Sequence, residues 1–286
     1  MPKFQNEATA LLSACEQAYQ GRLEPGNDIP SASNTITGYL QPGNQKKYVH
    51  MYFAKYVGCW RAICKRLKIS GQYQLISIGA GPLLCCIGWL WDSNPSDSDV
   101  IVKAYDALTW EEVRSLSEFG ALWQQLSPRS PDYEALRYMP DEIRPPQING
   151  LTGAQPISVS EIGSGNIVLL PSLLNHLVGR SNYVIRNQQR FIFDWIERVR
   201  RAGNTVVIAD MPYRSDTVSF WERITTGLNA PPGSEELNFD FSTMVIEPAQ
   251  FYSNSILIQR RMGLTPDANK AAVLLGTAGT GWKWLS

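Results

Sequence analysis

One segment, residues 74–106, constrains the fold of this chain more than any other. It reads Gln74-Leu-Ile-Ser-Ile-Gly-Ala-Gly-Pro82, continues through an apolar stretch, and ends in Val100-Ile-Val-Lys-Ala-Tyr-Asp106. This pattern predicts a buried strand, a glycine turn, a helix and a second strand that ends in an acid. Glycines let the backbone approach a ligand at the helix start, where free N–H groups point outward, and a strand-end acid can accept ribose hydroxyls. The segment therefore predicts a unit that can hold an adenosyl cofactor.

The glycine spacing narrows the class of cofactor. Leu84 stands where the dinucleotide fingerprint G-x-G-x-x-G has its third glycine. With two glycines, Gly79 and Gly81, and an acid about 25 residues further on, the segment resembles the S-adenosylmethionine loop of class I methyltransferases. The resemblance implies that both glycines face the methionine part of S-adenosylmethionine and that Asp106 faces the ribose. It assigns further cofactor contacts to Ile78, Ala80, Ala107, Leu170, Pro171 and Ser172. The alternative is a tight turn that binds no ligand.

The uncharged run from Tyr73 to Trp91 admits a second alternative, a membrane span, because it is 19 residues long. Its three glycines and Pro82 favour a strand, a turn and a buried helix instead. The mean hydropathy of the chain is −0.20, and no second run of this kind exists. We therefore predict no membrane segment.

Composition excludes several other classes of protein. The 26 acidic and 26 basic residues balance, so no net charge attracts nucleic acid or membrane. The five cysteines show no C-x-x-C spacing, and His50 and His176 are the only histidines, so we predict neither a disulfide framework nor a metal site. The first residues lack the apolar core of a signal peptide, which favours the cytoplasm.

The balanced charge is unevenly distributed along the chain. No acidic residue occurs between Asp28 and Asp92, whereas this interval holds seven basic ones. A helix predicted over 47–67 carries many of them, and basic residues near aromatic ones can hold phosphates and bases. The candidate nucleic-acid contacts are Lys55, Arg61, Lys65 and Arg66. The alternative is an amphipathic helix with a core of aromatic residues and solvated lysines, which would leave a small molecule as the substrate.

The rest of the chain alternates short apolar strands with helices, which predicts an α/β fold. We predict strands at 75–78, 100–105, 156–162, 166–170 and 205–209, and a late pair at 241–246 and 255–260. We predict helices at 7–20, 47–67, 109–125, 188–201 and 216–228, with an irregular proline-rich segment at 127–155. The expected fold is a doubly wound, mostly parallel, seven-stranded sheet with an antiparallel edge strand. The expected domains are a helical N-terminal cap (1–70), a methyltransferase-like domain (71–262) and a C-terminal tail (263–286).

The same resemblance places the loop after the fourth strand between cofactor and substrate. This loop continues from Leu170 to His176, so Asn175 and His176 become the candidate catalytic residues, with His176 able to take a proton from the acceptor. His176 packing at a helix start is the alternative. One departure is Asn166, where the fourth strand of the family usually opens with an acid.

A second motif, Asp210-Met-Pro-Tyr213, resembles the D-P-P-Y motif of enzymes that methylate amino groups of bases. It follows the predicted fifth strand rather than the fourth, and would be in place only if residues 167–170 formed the third strand. Together these features predict an S-adenosylmethionine-dependent methyltransferase acting on RNA or another nucleic acid. A small-molecule methyltransferase and an inactive binding protein of the same fold are the alternatives.

Overall fold

The computed structural model describes most of the chain and leaves several segments outside its description. The described residues are 4–16, 39, 42–69, 72–92, 100–106, 108–127, 129–135, 157–171, 174, 183–210, 217–233, 235–238 and 270–285.

Helices and strands alternate through the central part of the chain. The helices are α1 (Gln5–Glu16), α2 (Asn44–Leu67), α3 (Leu84–Leu90), α4 (Glu111–Arg114), α5 (Ser117–Leu126), α6 (Val159–Ile162), α7 (Tyr183–Arg201) and α8 (Thr217–Leu228). The strands are β1 (Gln74–Ile78), β2 (Ile101–Asp106), β3 (Asp132–Ala135), β4 (Ile167–Pro171), β5 (Thr205–Asp210), β6 (Glu236–Asn238), β7 (Lys270–Thr277) and β8 (Gly281–Trp284). Among the described residues, no helix is both long enough and apolar enough to cross a membrane.

The strands form one mixed sheet in the order β3-β2-β1-β4-β5-β7-β6, with β8 also paired to β7. Neighbours from β3 to β5 are parallel, and β7 is antiparallel to β5. The order reverses between β1 and β4, as in doubly wound sheets. The fold predicted from the class I methyltransferase resemblance is therefore confirmed, with an antiparallel strand inside the last part of the sheet.

Apolar residues cover both faces of this sheet, as a parallel sheet requires. Along β5, Val207 belongs to one hydrophobic cluster with α1, α2, α3 and α5, whereas Val206 and Ile208 belong to the other, with α7 and α8. Helix α2 packs closely on α3, because a Cβ added at Gly88 would lie 2.5 Å from the carbonyl oxygen of Val57. The helices predicted as a cap thus form part of a layer on one face of the sheet. The predicted boundary at residue 70 stays a prediction.

Two helix and strand predictions in the middle of the chain are wrong. The third strand is β3, within the segment predicted to be irregular, and residues 156–162 instead hold the short helix α6. Ser158 caps this helix, since its side chain accepts the N–H of Glu161 while the Glu161 side chain accepts the N–H of Ser158. The single helix predicted over 109–125 is two helices, because Leu116 has an extended backbone (φ −69°, ψ 132°).

Two strands, β7 and β8, lie within the segment 263–286 that was predicted to be a C-terminal tail. Residues 270–277 form β7, which pairs with β5 on one side and with β6 and β8 on the other. The buried run Ala271–Leu275 explains this position, because a strand inside the sheet is apolar on both faces. The late strand pair predicted at 241–246 and 255–260 lies outside the described residues.

Candidate cofactor and substrate site

The reversal of strand order between β1 and β4 defines a crevice at the carboxyl ends of the strands. Ligands of doubly wound sheets bind there, because the connections on either side of the reversal leave in opposite directions. The strands that flank it end at Ile78, Asp106, Pro171 and Asp210. Leu170 is buried and Pro171 half-buried at the end of β4, where the sequence predicted cofactor contacts.

The glycine loop that follows β1 has the backbone the sequence predicted. Gly79 (φ 72°) and Gly81 (φ 53°) are both in the left-handed region, which glycine adopts without strain. The N–H groups of Gly79 and Ala80 donate to the carbonyl oxygen of Tyr105, at 2.8 and 3.1 Å. Both N–H groups of this part of the loop are therefore bound to β2. The glycine loop can therefore let a ligand approach its backbone closely.

Asp106, at the end of β2, connects this loop to the next strand. Its Oδ2 accepts the N–H of Gly81 at 2.7 Å. Its Oδ1 accepts the N–H of Leu108 at 2.9 Å and the indole Nε1–H of Trp110 at 3.2 Å. The predicted acid therefore lies directly beside the predicted glycine. Three N–H donors hold the carboxylate in position.

Trp110 forms a wall beside these two groups. A Cβ added at Gly81 would lie 3.8 Å from the indole ring of Trp110, so the ring packs over the loop at ordinary contact distance. Trp110 itself is buried and has a left-handed backbone (φ 53°), an unfavourable conformation for a bulky side chain. Its position is thus determined by packing and by the hydrogen bond to Asp106.

The ring of Trp110 belongs to an aromatic cluster whose other members come from α2 and the residues before it. The ring centroids of Tyr39 and Tyr48 lie 5.3 and 5.2 Å from that of Trp110, and Tyr52 lies 4.9 Å from Tyr48. Burial raises the pKa of the Tyr39 hydroxyl to about 12, with smaller effects of Tyr52 and Asp106. Burial also raises the pKa values of Tyr48 and Tyr52. All three hydroxyls therefore stay neutral at physiological pH.

The start of α2 is hydrogen-bonded to Glu112, beside this aromatic cluster. Both carboxylate oxygens of Glu112 accept the N–H of Gly43, at 2.9 and 3.1 Å, and the N–H of Glu112 donates to the side-chain oxygen of Gln45 at 3.1 Å. Because Glu112 follows Trp110 by two residues, these bonds keep the first turns of α2 close to the end of β2.

Lys55 lies further along α2 and is only 2% exposed. Burial lowers the pKa of its ammonium from 10.5 to about 7, against smaller opposite effects of Cys59 and of Asp210 at the end of β5. The prediction that Lys55 contacts phosphates is therefore wrong, since a side chain this buried cannot reach a polyanion.

Two other basic residues of the predicted nucleic-acid surface are paired within the chain. Arg61 makes a two-pronged ion pair with Asp92, at 2.6 and 2.8 Å, and the ammonium of Lys65 lies 3.0 Å from the same carboxylate. Arg66 is exposed. The basic charges of α2 thus serve partly to connect its last turns to Asp92, two residues after the end of α3.

Other sequence predictions fall outside the site or outside the description. Asn166 precedes β4 at its amino end, where its side chain donates to the carbonyl oxygen of Ile162 at 2.7 Å and accepts the N–H of Gln74 at 3.3 Å. The departure from the family pattern at this position is therefore remote from the crevice. The described residues do not include Ala107, Ser172, Asn175 or His176.

The alternative register for the D-P-P-Y-like motif is wrong. It requires residues 167–170 to be the third strand, but this segment pairs with β1 and β5 and is the fourth. Asp210 therefore ends β5, buried to 95%.

The similarity of the chain to known proteins is limited to solved structures of low sequence identity. No family model and no curated protein matches the chain. Solved structures that are similar to it include a protein from Burkholderia thailandensis bound to S-adenosyl-homocysteine (9% identity, 99% of this chain and 98% of that one, TM-score 0.42). They also include an S-adenosylmethionine-dependent methyltransferase from Geobacter sulfurreducens in complex with S-adenosyl-L-homocysteine (11% identity, 87% of this chain and 82% of that one, TM-score 0.37). A third is precorrin-6y C5,15-methyltransferase from Geobacter metallireducens (12% identity, 62% of this chain and 75% of that one, TM-score 0.33). At such values the likeness carries no argument, and the fold assignment rests on the strand order.

Proposed function

We propose that this protein is an S-adenosylmethionine-dependent methyltransferase. The observation that carries the proposal is the hydrogen bond between the N–H of Gly81 and the carboxylate of Asp106 at the switch point of a doubly wound sheet. It brings together a loop that tolerates close approach and an acid that can accept ribose hydroxyls. The contact of Trp110 with Gly81 adds a flat apolar surface suited to a heteroaromatic ring. These residues fit the cofactor.

The cofactor, when bound, supplies a methyl group activated by the positive charge on sulfur. Asp106 would bind the ribose, with one hydroxyl exchanging for the indole N–H of Trp110. Gly79 and Gly81, with Ile78 and Ala80 beside them, would admit the methionine part. Leu170 and Pro171 at the end of β4 would exclude water from the transfer. Holding the methyl group in line with its acceptor supplies much of the catalysis in such a reaction.

We propose a small molecule as the substrate rather than a nucleic acid. This choice rests on the burial of Lys55, and on the pairing of Arg61 and Lys65 with Asp92, which offsets part of the positive charge that favoured a polyanion. A compact acceptor suits a crevice bordered by aromatic rings.

Calorimetric titration with S-adenosylhomocysteine tests the cofactor site. The wild type should bind, and Asp106→Ala should lose about 2 kcal/mol of binding free energy, since hydrogen bonds to a charged group are lost. Asp132→Ala is the matched control, because this exposed acid opens β3 at the opposite edge of the sheet. Since Asp106 also holds the loop, thermal unfolding of each variant must accompany the titration.

Two results would contradict the proposal. Folded wild type that does not bind S-adenosylhomocysteine at millimolar concentration excludes the cofactor site. Equal losses in Asp106→Ala and Asp132→Ala would show that Asp106 makes no specific contribution. Incubation with labelled S-adenosylmethionine and a small-molecule extract, beside an RNA fraction, distinguishes the two substrate classes. Binding without transfer to either would identify the protein as an inactive member of the fold.

A further inference from the structure

The carboxylate of Asp106 is already engaged by donors of the protein itself. Its two oxygens offer about four acceptor positions, two on each. The N–H of Gly81 fills one position on Oδ2, while the N–H of Leu108 and the indole Nε1–H of Trp110 fill both positions on Oδ1. The two hydroxyls of a ribose need two positions, and at most one is left. A ribose can therefore bind to both oxygens only after a donor has left Oδ1.

The donors differ in the length of their bonds and in their freedom to move. The N–H groups of Gly81 and Leu108 lie 2.7 and 2.9 Å from the carboxylate, whereas the indole Nε1 lies at 3.2 Å, the long end of the usual range. The backbone of Trp110 is fixed, because its carbonyl oxygen accepts the N–H groups of Val113 and Arg114 at the start of α4. The indole ring can still move by rotation of the side chain. It is therefore the donor that leaves most readily.

The ring of Trp110 cannot turn away from Asp106 alone. Trp110 is only 5% exposed, and its ring centroid lies 5.3 and 5.2 Å from those of Tyr39 and Tyr48. In a close-packed interior a ring of this size moves only when its neighbours move too. Tyr48 belongs to the first turns of α2, so rotation of the indole must rearrange this part of the helix.

We infer that Trp110 is a gate of the cofactor site. In the ligand-free protein its indole N–H occupies the place on Asp106 that a ribose hydroxyl takes in the complex. The ribose opens this gate and thereby rearranges the first turns of α2. The inference rests on the proposed function, to which it adds a closed state of the same site. A nucleoside that carries both hydroxyls is favoured, since a hydroxyl replaces the indole N–H on Oδ1.

The energetics of the exchange are compatible with this role. One N–H donor leaves Oδ1 and one O–H donor arrives, so the number of hydrogen bonds to Asp106 does not fall. The exchange therefore requires only that the packing of the ring be rearranged. Trp110 also has a left-handed backbone (φ 53°), and such strained positions are concentrated at ligand sites and switches.

The first test follows the indole N–H resonance of Trp110 in ¹⁵N-labelled wild type by nuclear magnetic resonance. S-adenosylhomocysteine should shift it upfield, because the bond to the carboxylate is lost, whereas an analogue without both ribose hydroxyls should leave this bond intact. The two ligands carry the same adenine ring, so the difference between their spectra reports the hydroxyls. The indole of Trp123, which donates to the carbonyl oxygen of Arg129 at 2.8 Å, is the internal control. Amide hydrogen exchange in the first turns of α2 should also differ between the two complexes.

Affinity gives a second reading with Trp110→Phe, which keeps an aromatic ring but has no N–H to donate. Removal of both ribose hydroxyls should weaken binding in each protein. The factor should be roughly fivefold larger in Trp110→Phe, because only in wild type can the indole fill the position that the hydroxyl leaves on Oδ1. Trp123→Phe is the control and should show the wild-type factor.

The outcomes separate the inference from the proposed function. An unchanged Trp110 resonance in wild type saturated with S-adenosylhomocysteine overturns the inference, whether or not Trp110→Phe folds. Equal factors in wild type and Trp110→Phe overturn it too. Equal hydrogen exchange of α2 in the two complexes contradicts its coupling to this helix. Folded wild type that does not bind S-adenosylhomocysteine at millimolar concentration refutes the proposed function, and the inference with it.

Discussion

Replacing Lys55 by Met gives a test of the buried amine that needs no substrate. The pKa of Lys55 is about 7 in the folded protein and 10.5 in the unfolded chain. Between these values the unfolded chain binds more protons, so the free energy of unfolding rises with pH in that window and is lower below it. Methionine does not titrate and fills a similar volume. The variant should therefore lose this part of the pH dependence.

The magnitude follows from the linkage relation. One proton bound by the unfolded state alone changes the free energy of unfolding by about 1.36 kcal/mol per pH unit. From about pH 7.5 to about pH 9.5, the difference between wild type and Lys55→Met should then grow by about 2.5 kcal/mol in favour of wild type. Other titrating groups cancel in this difference, since both proteins contain them.

The assay is urea unfolding at four or five pH values across that window, followed by circular dichroism and intrinsic fluorescence. Lys65→Met is the control, because it makes the same substitution at a lysine of the same helix whose side chain is 57% exposed. A constant difference between wild type and Lys55→Met would show that Lys55 is solvated in the folded protein.

Three further predictions concern stability. Gly88→Ala should lower the free energy of unfolding by about 1–3 kcal/mol or more, because its Cβ would lie 2.5 Å from the carbonyl oxygen of Val57. Gly120→Ala is the control, because the space around its Cβ is open, and it should raise the free energy of unfolding by up to about 1 kcal/mol. Thermal or urea unfolding measures both. The pKa of Glu197 is lowered to about 2, chiefly by hydrogen bonding to Arg200. The ionised side chain should therefore stabilise the folded protein above about pH 4.5, and this stabilisation should be lost as the pH falls toward about 2. Acid unfolding of Glu197→Gln should lack this loss. Asp92→Asn should cost at most about 1 kcal/mol, less at high salt, since its ion pairs are partly exposed; a larger, salt-independent loss would contradict this.

The sheet illustrates which elements a sequence reveals. Strands β1, β2, β4 and β5 were predicted because each is a short apolar run bounded by glycine, proline or polar residues. Strand β3 was missed because Asp132-Tyr-Glu-Ala135 pairs with β2 alone at the sheet edge and carries no continuous apolar run. Strand β7 was missed because an apolar run near the end of a chain does not specify its partner. Only its register with β5 places it within the sheet.

The candidate site divides in the same way. Gly79, Gly81 and Asp106 could be predicted, because a turn that needs positive φ and an acid at a strand end leave a local pattern at fixed spacing. Trp110 and the tyrosines of α2 could not, because their role depends on where α2 packs. The relation of Lys55 to Asp210 was equally hidden: sequence assigned the lysine to a basic surface and the acid to a base-binding motif.

The sequence alone thus determined the alternation of strands and helices and the cofactor loop, since both arise from interactions between residues near one another in the chain. The tertiary structure decided which strands are neighbours and which charges leave water, because burial is a property of packing between distant segments. Lys55 shows the difference most directly. The sequence identifies an ionisable lysine at this position. The protein environment that lowers its pKa to about 7 exists only after α2 has packed against the sheet and α3.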